Sequence, residues 1–164
     1  MTDEKCKALF KSNYDGDYIF AFDNISDYEL VEKKLQLLRK YTNKTPKFYV
    51  FCGFDREDKW DDVFWGQDIE GTFRRIDLLA RYQCLPYIMR YKDYIHSPFQ
   101  GIYVNLARWC NQPSLFKKLT YREFCNKDDE LKGGNSATKR YNQHLLGVYT
   151  AFERYFDIRF GFNK

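Results

Sequence analysis

Three segments of this 164-residue chain are apolar without a break, and two of them lead into stretches where apolar residues recur every three or four positions. The first, "YIFAFD" at residues 18 to 23, follows the turn-forming "DGD" and reads as a buried strand. Ser26, with Glu29 three residues on, has capping-box spacing, so a helix is predicted to begin there. Tyr28, Val31, Leu35 and Leu38 share one face of that helix, Glu29 and Lys33 can pair on the wet side, and it ends near "TNKTP". "KFYVFCGFDRED", residues 47 to 58, is the second strand leaving through an acidic exit. "QDIEGTFRRIDLLARYQC" is the second helix, with Ile69, Phe73, Ile76 and Leu79 or Ala80 inward and Asp68 and Glu70 in its first turn. "LPYIMRY" is the third strand, where Pro86 is tolerable near the start.

Strands apolar on both faces and separated by amphipathic helices imply right-handed crossovers and a parallel sheet. The predicted fold class is therefore α/β, with a parallel βαβαβ core at 18–93 and a mainly helical cover at 94–164, all in one domain of 164 residues. In the cover, "IYVNLARWCNQ" is predicted helical with Ile102, Leu106 and Trp109 or Cys110 inward. Thr120 and Glu123 form a second capping box that opens the short helix "YREFCNK". "DDELKGGNSAT" reads as a mobile loop. From Thr138 the spacing of Tyr141, Leu145, Val148, Phe152 and Tyr155 predicts an amphipathic helix covering the sheet or a dimer partner.

Composition narrows the setting. No stretch approaches the roughly 20 apolar residues that cross a bilayer, so no membrane is expected. The charged start "MTDEKCKALFKS" has no apolar signal core. Five scattered cysteines, Cys6, Cys52, Cys84, Cys110 and Cys125, point to reduced thiols and a cytoplasmic location. A net charge of +4, mixed along the chain, is a weak pointer to nucleic acid. Aromatic content of 20% suits buried interfaces and base stacking, and equally follows from coding bias toward Phe, Tyr, Asn and Lys.

Parallel strands joined by right-handed helices bring their C-terminal ends to one edge, where ligands bind. Here those ends read "AFDN", "CGFDRED" and "MRYKD", placing Asp23 and Asn24, then Gly53 and Asp55, then Arg90 and Asp93 at polar exits. Gly53 would permit close approach of a ligand to the backbone. An Asp just past a strand also commonly caps a helix or forms a turn, and each carboxylate is open to that reading.

"CGFD" with its acidic spacer, "DIEGTFRRIDLLARYQCLPYIMRYKDY" and "GIYVNLARWCNQPSLFKKLTYREF" resemble the C-terminal half of phage- and bacterium-encoded radical S-adenosylmethionine (radical SAM) proteins, over about residues 18 to 125. The resemblance implies a partial, TIM-like (β/α)6 barrel of which this chain holds the last three strands. It also implies S-adenosylmethionine lying across the strand tops, on the Gly53, Phe54 and Asp55 strand end and the Met89 to Tyr91 strand end; Asp23 and Asn24, from the strand-end pattern, are further candidates to bind it. The family's cluster ligands, CxxxCxxC, are missing, and no gap between the five cysteines comes close. No iron-sulfur cluster is expected from this chain, nor radical chemistry from the chain alone. It reads as part of a split enzyme or as a binding scaffold, with a homodimer or a partner protein covering the open sheet edges.

The alternative is a small phage or mobile-element protein that binds a bacterial protein or nucleic acid, as an inhibitor of host defence would. For nucleic acid the candidates are Arg108, Lys117, Lys118 and Arg122, interleaved with Trp109, Phe116 and Tyr121; the bland reading puts Trp109 and Phe116 in the core. Asp55, Glu57, Asp58, Asp61 and Asp62 are a tempting acidic run for a metal nuclease, but such a run after a strand is ordinarily a solvated loop. His96 and His144 lack metal-ligand spacing, and "KGGNSAT" lacks the spacing of a phosphate loop.

Overall fold

A computed structural model describes residues 2–12, 14–134 and 150–161. Its centre is a three-stranded parallel sheet of β1 (Ile19–Ala21), β2 (Lys47–Cys52) and β3 (Leu85–Arg90), in the order β1-β2-β3. Six α-helices are present among the described residues: α1 (Asp3–Lys11), α2 (Tyr28–Arg39), α3 (Asp62–Arg81), α4 (Gln100–Cys110), α5 (Pro113–Lys118) and α6 (Tyr121–Leu131). The α/β class and the βαβαβ core follow the sequence pattern. None of the described helices is long and apolar enough to cross a membrane.

Only one face of the sheet is buried, whereas uninterrupted apolar strands lead one to expect two. Phe48, Val50 and Cys52 of β2 and Ile88 of β3 enter one core with Leu35 of α2, Ile69, Phe73 and Ile76 of α3, and Leu106 and Trp109 of α4. The opposite face carries Ile19 and Ala21, Tyr49 and Phe51, and Tyr87 and Met89, all exposed or half-buried. A parallel sheet ordinarily has helices on both faces. Here the covering helices share one side, and the aromatic side chains on the other pack on one another, as Tyr49 and Tyr87 do with ring centres 5.5 Å apart. Thus β1 is an exposed strand of three residues rather than a buried one of six.

Other helix boundaries differ from the predicted ones for local reasons. Ser26 does not cap α2: Ile25–Asp27 form a 3-10 turn and α2 starts at Tyr28. That turn seats Ile25 against Gly71 of α3, where an added Cβ would lie 3.6 Å from Ile25. α3 begins at Asp62, not near Gln67, because the side chain of Asp61 accepts a 2.7 Å hydrogen bond from the Phe64 amide. Asp68 therefore lies well inside the helix instead of in its first turn. The capping box at Thr120 and Glu123 is present, but α6 runs on through Leu131, since Arg108 and Lys132 hold Asp128 in place. Asp128 to Leu131 are helix, not loop. Most of the predicted helix from Thr138, residues 138–149, lies outside the described residues; its last part, Ala151–Tyr155, is a 3-10 turn that packs on α3, with Tyr155 stacked on Phe73 at 5.6 Å.

The two edges of the sheet are finished differently. Leu85 N donates to Pro46 O and Tyr91 N to Cys52 O, so odd residues of β3 bond inward and Pro86, Ile88 and Arg90 turn outward. Pro86 has no N–H to offer. Asn111, just past α4, covers Ile88: its Oδ1 accepts from Ile88 N at 2.7 Å and its Nδ2 donates to Ile88 O at 3.1 Å. A side-chain amide thus stands where a fourth strand would. At β1, Lys47 N donates to Tyr18 O and Phe22 N to Tyr49 O, so Ile19 and Ala21 turn outward, and nothing among the described residues meets their backbone groups.

Candidate functional site

A crevice of about 600 Å³ opens at the C-terminal ends of β1 and β2, between them and the N-terminal half of α3. Asp23 and Asn24 come to it from β1, Phe51, Cys52, Phe54 and Asp55 from β2 and its exit loop, and Gln67, Asp68 and Arg75 from α3. Two of the three strand ends expected to meet a ligand therefore converge.

The loop after β2 is organised by Asp55. Its carboxylate is 7% exposed and accepts from Glu57 N at 2.9 Å, Lys59 N at 2.8 Å and Trp60 N at 2.9 Å. Burial pushes its pKa up, but those three amides prevail and hold it below the usual carboxylate value. The turn-forming role open to any Asp past a strand is the one Asp55 plays. Its bonds hold Asp58 (φ 55) and Trp60 (φ 51) in the left-handed region. For a residue as bulky as Trp that geometry is an outlier and stores strain on the order of 1–3 kcal/mol. The ring of Trp60 packs among Phe64, Trp65 and Tyr91.

Gly53 (φ +78) makes the bend out of β2, and its surroundings are protein: a Cβ there would meet Tyr94, Tyr103 and the Tyr91 amide. The close approach that glycine allows is used by those neighbours, not by the crevice. Gly53 N donates to Asp68 Oδ2 at 2.7 Å, and Tyr103 OH donates to the same oxygen at 2.7 Å. Burial raises the pKa of Asp68, against the pull of Tyr103 and of the Arg75 charge. Asp68 lines the crevice.

Arg75 pins the floor. Its guanidinium, 2% exposed, donates to Phe22 O, Asp23 O and Phe51 O through Nη1, to Gly71 O through Nε and to Thr72 Oγ1 through Nη2. It ties the ends of β1 and β2 to α3 and leaves little of itself for an anion. Asp23 Oδ1 accepts from Phe51 N at 3.3 Å, and Asn24 Oδ1 accepts from Arg56 Nη2 at 2.5 Å.

The third strand end lies elsewhere. Met89 is 44% exposed on the open sheet face, Arg90 places its guanidinium 4.5 Å over the Tyr94 ring, and neither lines the crevice. The 3-10 turn Lys92–His96 sets Tyr94 against Gly53. Phe54 is 42% exposed and packs on Tyr91.

The basic candidates are mostly engaged. Arg108 forms a two-pronged pair with buried Asp128, both contacts at 2.7 Å, and Arg122 pairs with Asp157 at 2.7 Å. Lys117 and Lys118 are exposed at the end of α5, while Trp109 and Phe116 are buried. The acidic run is also divided: Asp55 builds the loop, Glu57 pairs with Lys59, Asp58 bonds the Trp60 indole and Asp61 caps α3. His144 lies outside the described residues.

Asp68 and Arg75 were not singled out as site residues from sequence. Their signal is a polar stripe: Asp68, Gly71 or Thr72, and Arg75 follow at intervals of four and three beside the apolar stripe of Ile69, Phe73 and Ile76. Comparison with known proteins finds no matching family model, no matching curated sequence and no matching solved structure, so the chemistry of the crevice is read from its own atoms.

Proposed function

We propose that this chain is a ligand-binding half-barrel, related in architecture to the last three strands of a radical S-adenosylmethionine protein, whose strand-end crevice takes S-adenosylmethionine. Sequential strand order with the helices on one face is the arrangement of a barrel segment and supports that reading. The observation that carries it is the crevice itself, at the C-terminal ends of parallel strands. Its charge selects among ligands: Asp23 and Asp68 stand without a dedicated basic partner, while Arg75 is spent on carbonyls. A sulfonium or ammonium group with ribose hydroxyls is complementary to such a floor, and Ile25, Phe51 and Phe54 offer apolar walls for a base. Arg56 and Lys59 also line the crevice, but Asn24 and Glu57 hold them, so a phosphate suits it less well.

No four-iron cluster is expected on this chain, because its cysteines lack the CxxxCxxC spacing. All five thiols are buried, and no three groups of metal-ligating type converge among the described residues. No catalytic step is assigned to the chain on its own; it binds, either as one part of a split enzyme or as a scaffold.

The test is thermal unfolding and calorimetry with S-adenosylmethionine, S-adenosylhomocysteine and AMP. Saturation at about a hundredfold above Kd stabilises by about 2.7 kcal/mol, which raises Tm by roughly 5–10 °C for a domain of this size. S-adenosylmethionine should act most strongly, because it alone carries the sulfonium charge, and Asp68→Asn should weaken it while leaving the fold intact. No shift with any of the three, or an equal shift with AMP, overturns the proposal.

A further inference from the structure

We infer that the outer edge of β1 is a docking site for an extended segment of another protein, apolar at alternate positions and flanked by lysine or arginine. The edge shares Asp23 with the crevice but needs no ligand there.

The backbone argument is one of accounting. Exposed edge groups invite a further strand unless the fold blocks them. At β3 both means of blocking are present, a proline without an N–H and the Asn111 amide seated on Ile88. At β1 neither occurs: the N–H and C=O groups of Ile19 and Ala21 point outward with no partner among the described residues. The side chains agree, since Ile19 is 46% exposed on a face where Lys47, held by Asp17, lies beside it in register and Tyr49 and Phe51 of β2 follow. An added strand would extend both the ladder and that face.

Charge chooses the occupant. Asp15 and Asp17 precede β1 and Asp23 follows it, all exposed. Asp17 keeps 75% of its side chain accessible although Lys47 lies 3.5 Å away. A second copy of this chain, related by a two-fold axis, would pair β1 with β1 antiparallel and bring Asp17 beside Asp23 of the other copy, a like-charge contact at both ends. A strand with basic flanks meets acids at both ends instead.

The test uses the full chain and two synthetic peptides, KRVTVTVKR and EEVTVTVEE, with binding followed by calorimetry and amide exchange at Ile19 and Ala21 followed by NMR. The basic-flanked peptide should bind at least tenfold more tightly than the acidic one, more weakly as salt rises, and should slow exchange at both amides. The double variant Asp15→Lys, Asp17→Lys should erase that preference. A peptide N-methylated at alternate positions, which lacks donors for the edge, should not bind; this control leaves the protein untouched. Equal affinity for the two peptides, or unchanged exchange at Ile19 and Ala21, overturns the inference. A homodimer in solution that is abolished by Ala21→Pro also overturns it, in favour of a second copy.

Discussion

At one edge of this sheet a proline and an asparagine amide stop the ladder; at the other, 10 Å or so away across two strand spacings, two residues leave their peptide groups without a partner among the described residues. Both edges belong to the same fold and face the same solvent. The blocked edge relies on one side chain from a helix end, Asn111, which is in turn held where α4 meets α6 through Arg108 and Asp128. A sheet edge is thus an addressable feature: closing it takes a single amide of the right reach, and leaving it open marks where growth is tolerated.

The strongest way to break the contrast is Asn111→Ala. It strips both partners from Ile88 and should destabilise the protein by about 2–4 kcal/mol in urea unfolding. The newly bare β3 edge should also self-associate, visible as concentration-dependent mass in light scattering.

Next comes Asp128→Asn, which removes the charge that holds Arg108 and should destabilise by about 2 kcal/mol in the same assay. Its pH counterpart follows in sign. The Arg108 hydrogen bonds hold the Asp128 carboxyl below its ordinary value, so its contribution is fully present above the unfolded-state value near 4 and is lost as pH falls through the folded value. Asp55 behaves alike, through its three backbone donors. Acidification should therefore lower the protection of the Ile88 and Trp60 amides, measured against the free-amide exchange rate at the same pH, while Ile19 and Ala21, whose backbone groups depend on no carboxylate, keep theirs.

Pro86→Ala sharpens the contrast more gently. It adds an outward N–H to β3, should shift stability by less than about 1 kcal/mol, and should raise association only when combined with Asn111→Ala. The smallest effect belongs to Ala21→Pro. The N–H it deletes bonds nothing among the described residues, so unfolding in urea should move by under about 1 kcal/mol while strand addition at β1 is abolished.

Much of the architecture was legible in the order of residues. Uninterrupted strands at 18–23, 47–52 and 85–90, separated by helices with an apolar stripe, specify a parallel sheet, because that periodicity offers no other way to bury those stripes. The Thr120 capping box was legible too, being an interaction between residues three apart. The Ser26 box was not decided locally: the need to seat Ile25 on Gly71 displaced the helix start, and the contact joins residues 46 positions apart. Reading the acids after β2 as a solvated loop concealed that Asp61 starts α3, which moved Asp68 from a helix end to the floor of the crevice.

By itself, then, the sequence determined the α/β class, the three parallel strands and the convergence of Asp23, Asn24 and Asp55 near one strand-end edge, since pattern and short-range spacing carry that information. Tertiary structure alone decided that one sheet face stays open and that Asp55 serves its own loop. It also decided that Arg75 binds carbonyls from both strands, that Met89 and Arg90 fall outside the crevice, and that among the described residues β3 is closed while β1 is not. Those outcomes depend on which distant groups come within about 3 Å of one another, the length over which hydrogen bonds and burial act, and no local pattern encodes that distance.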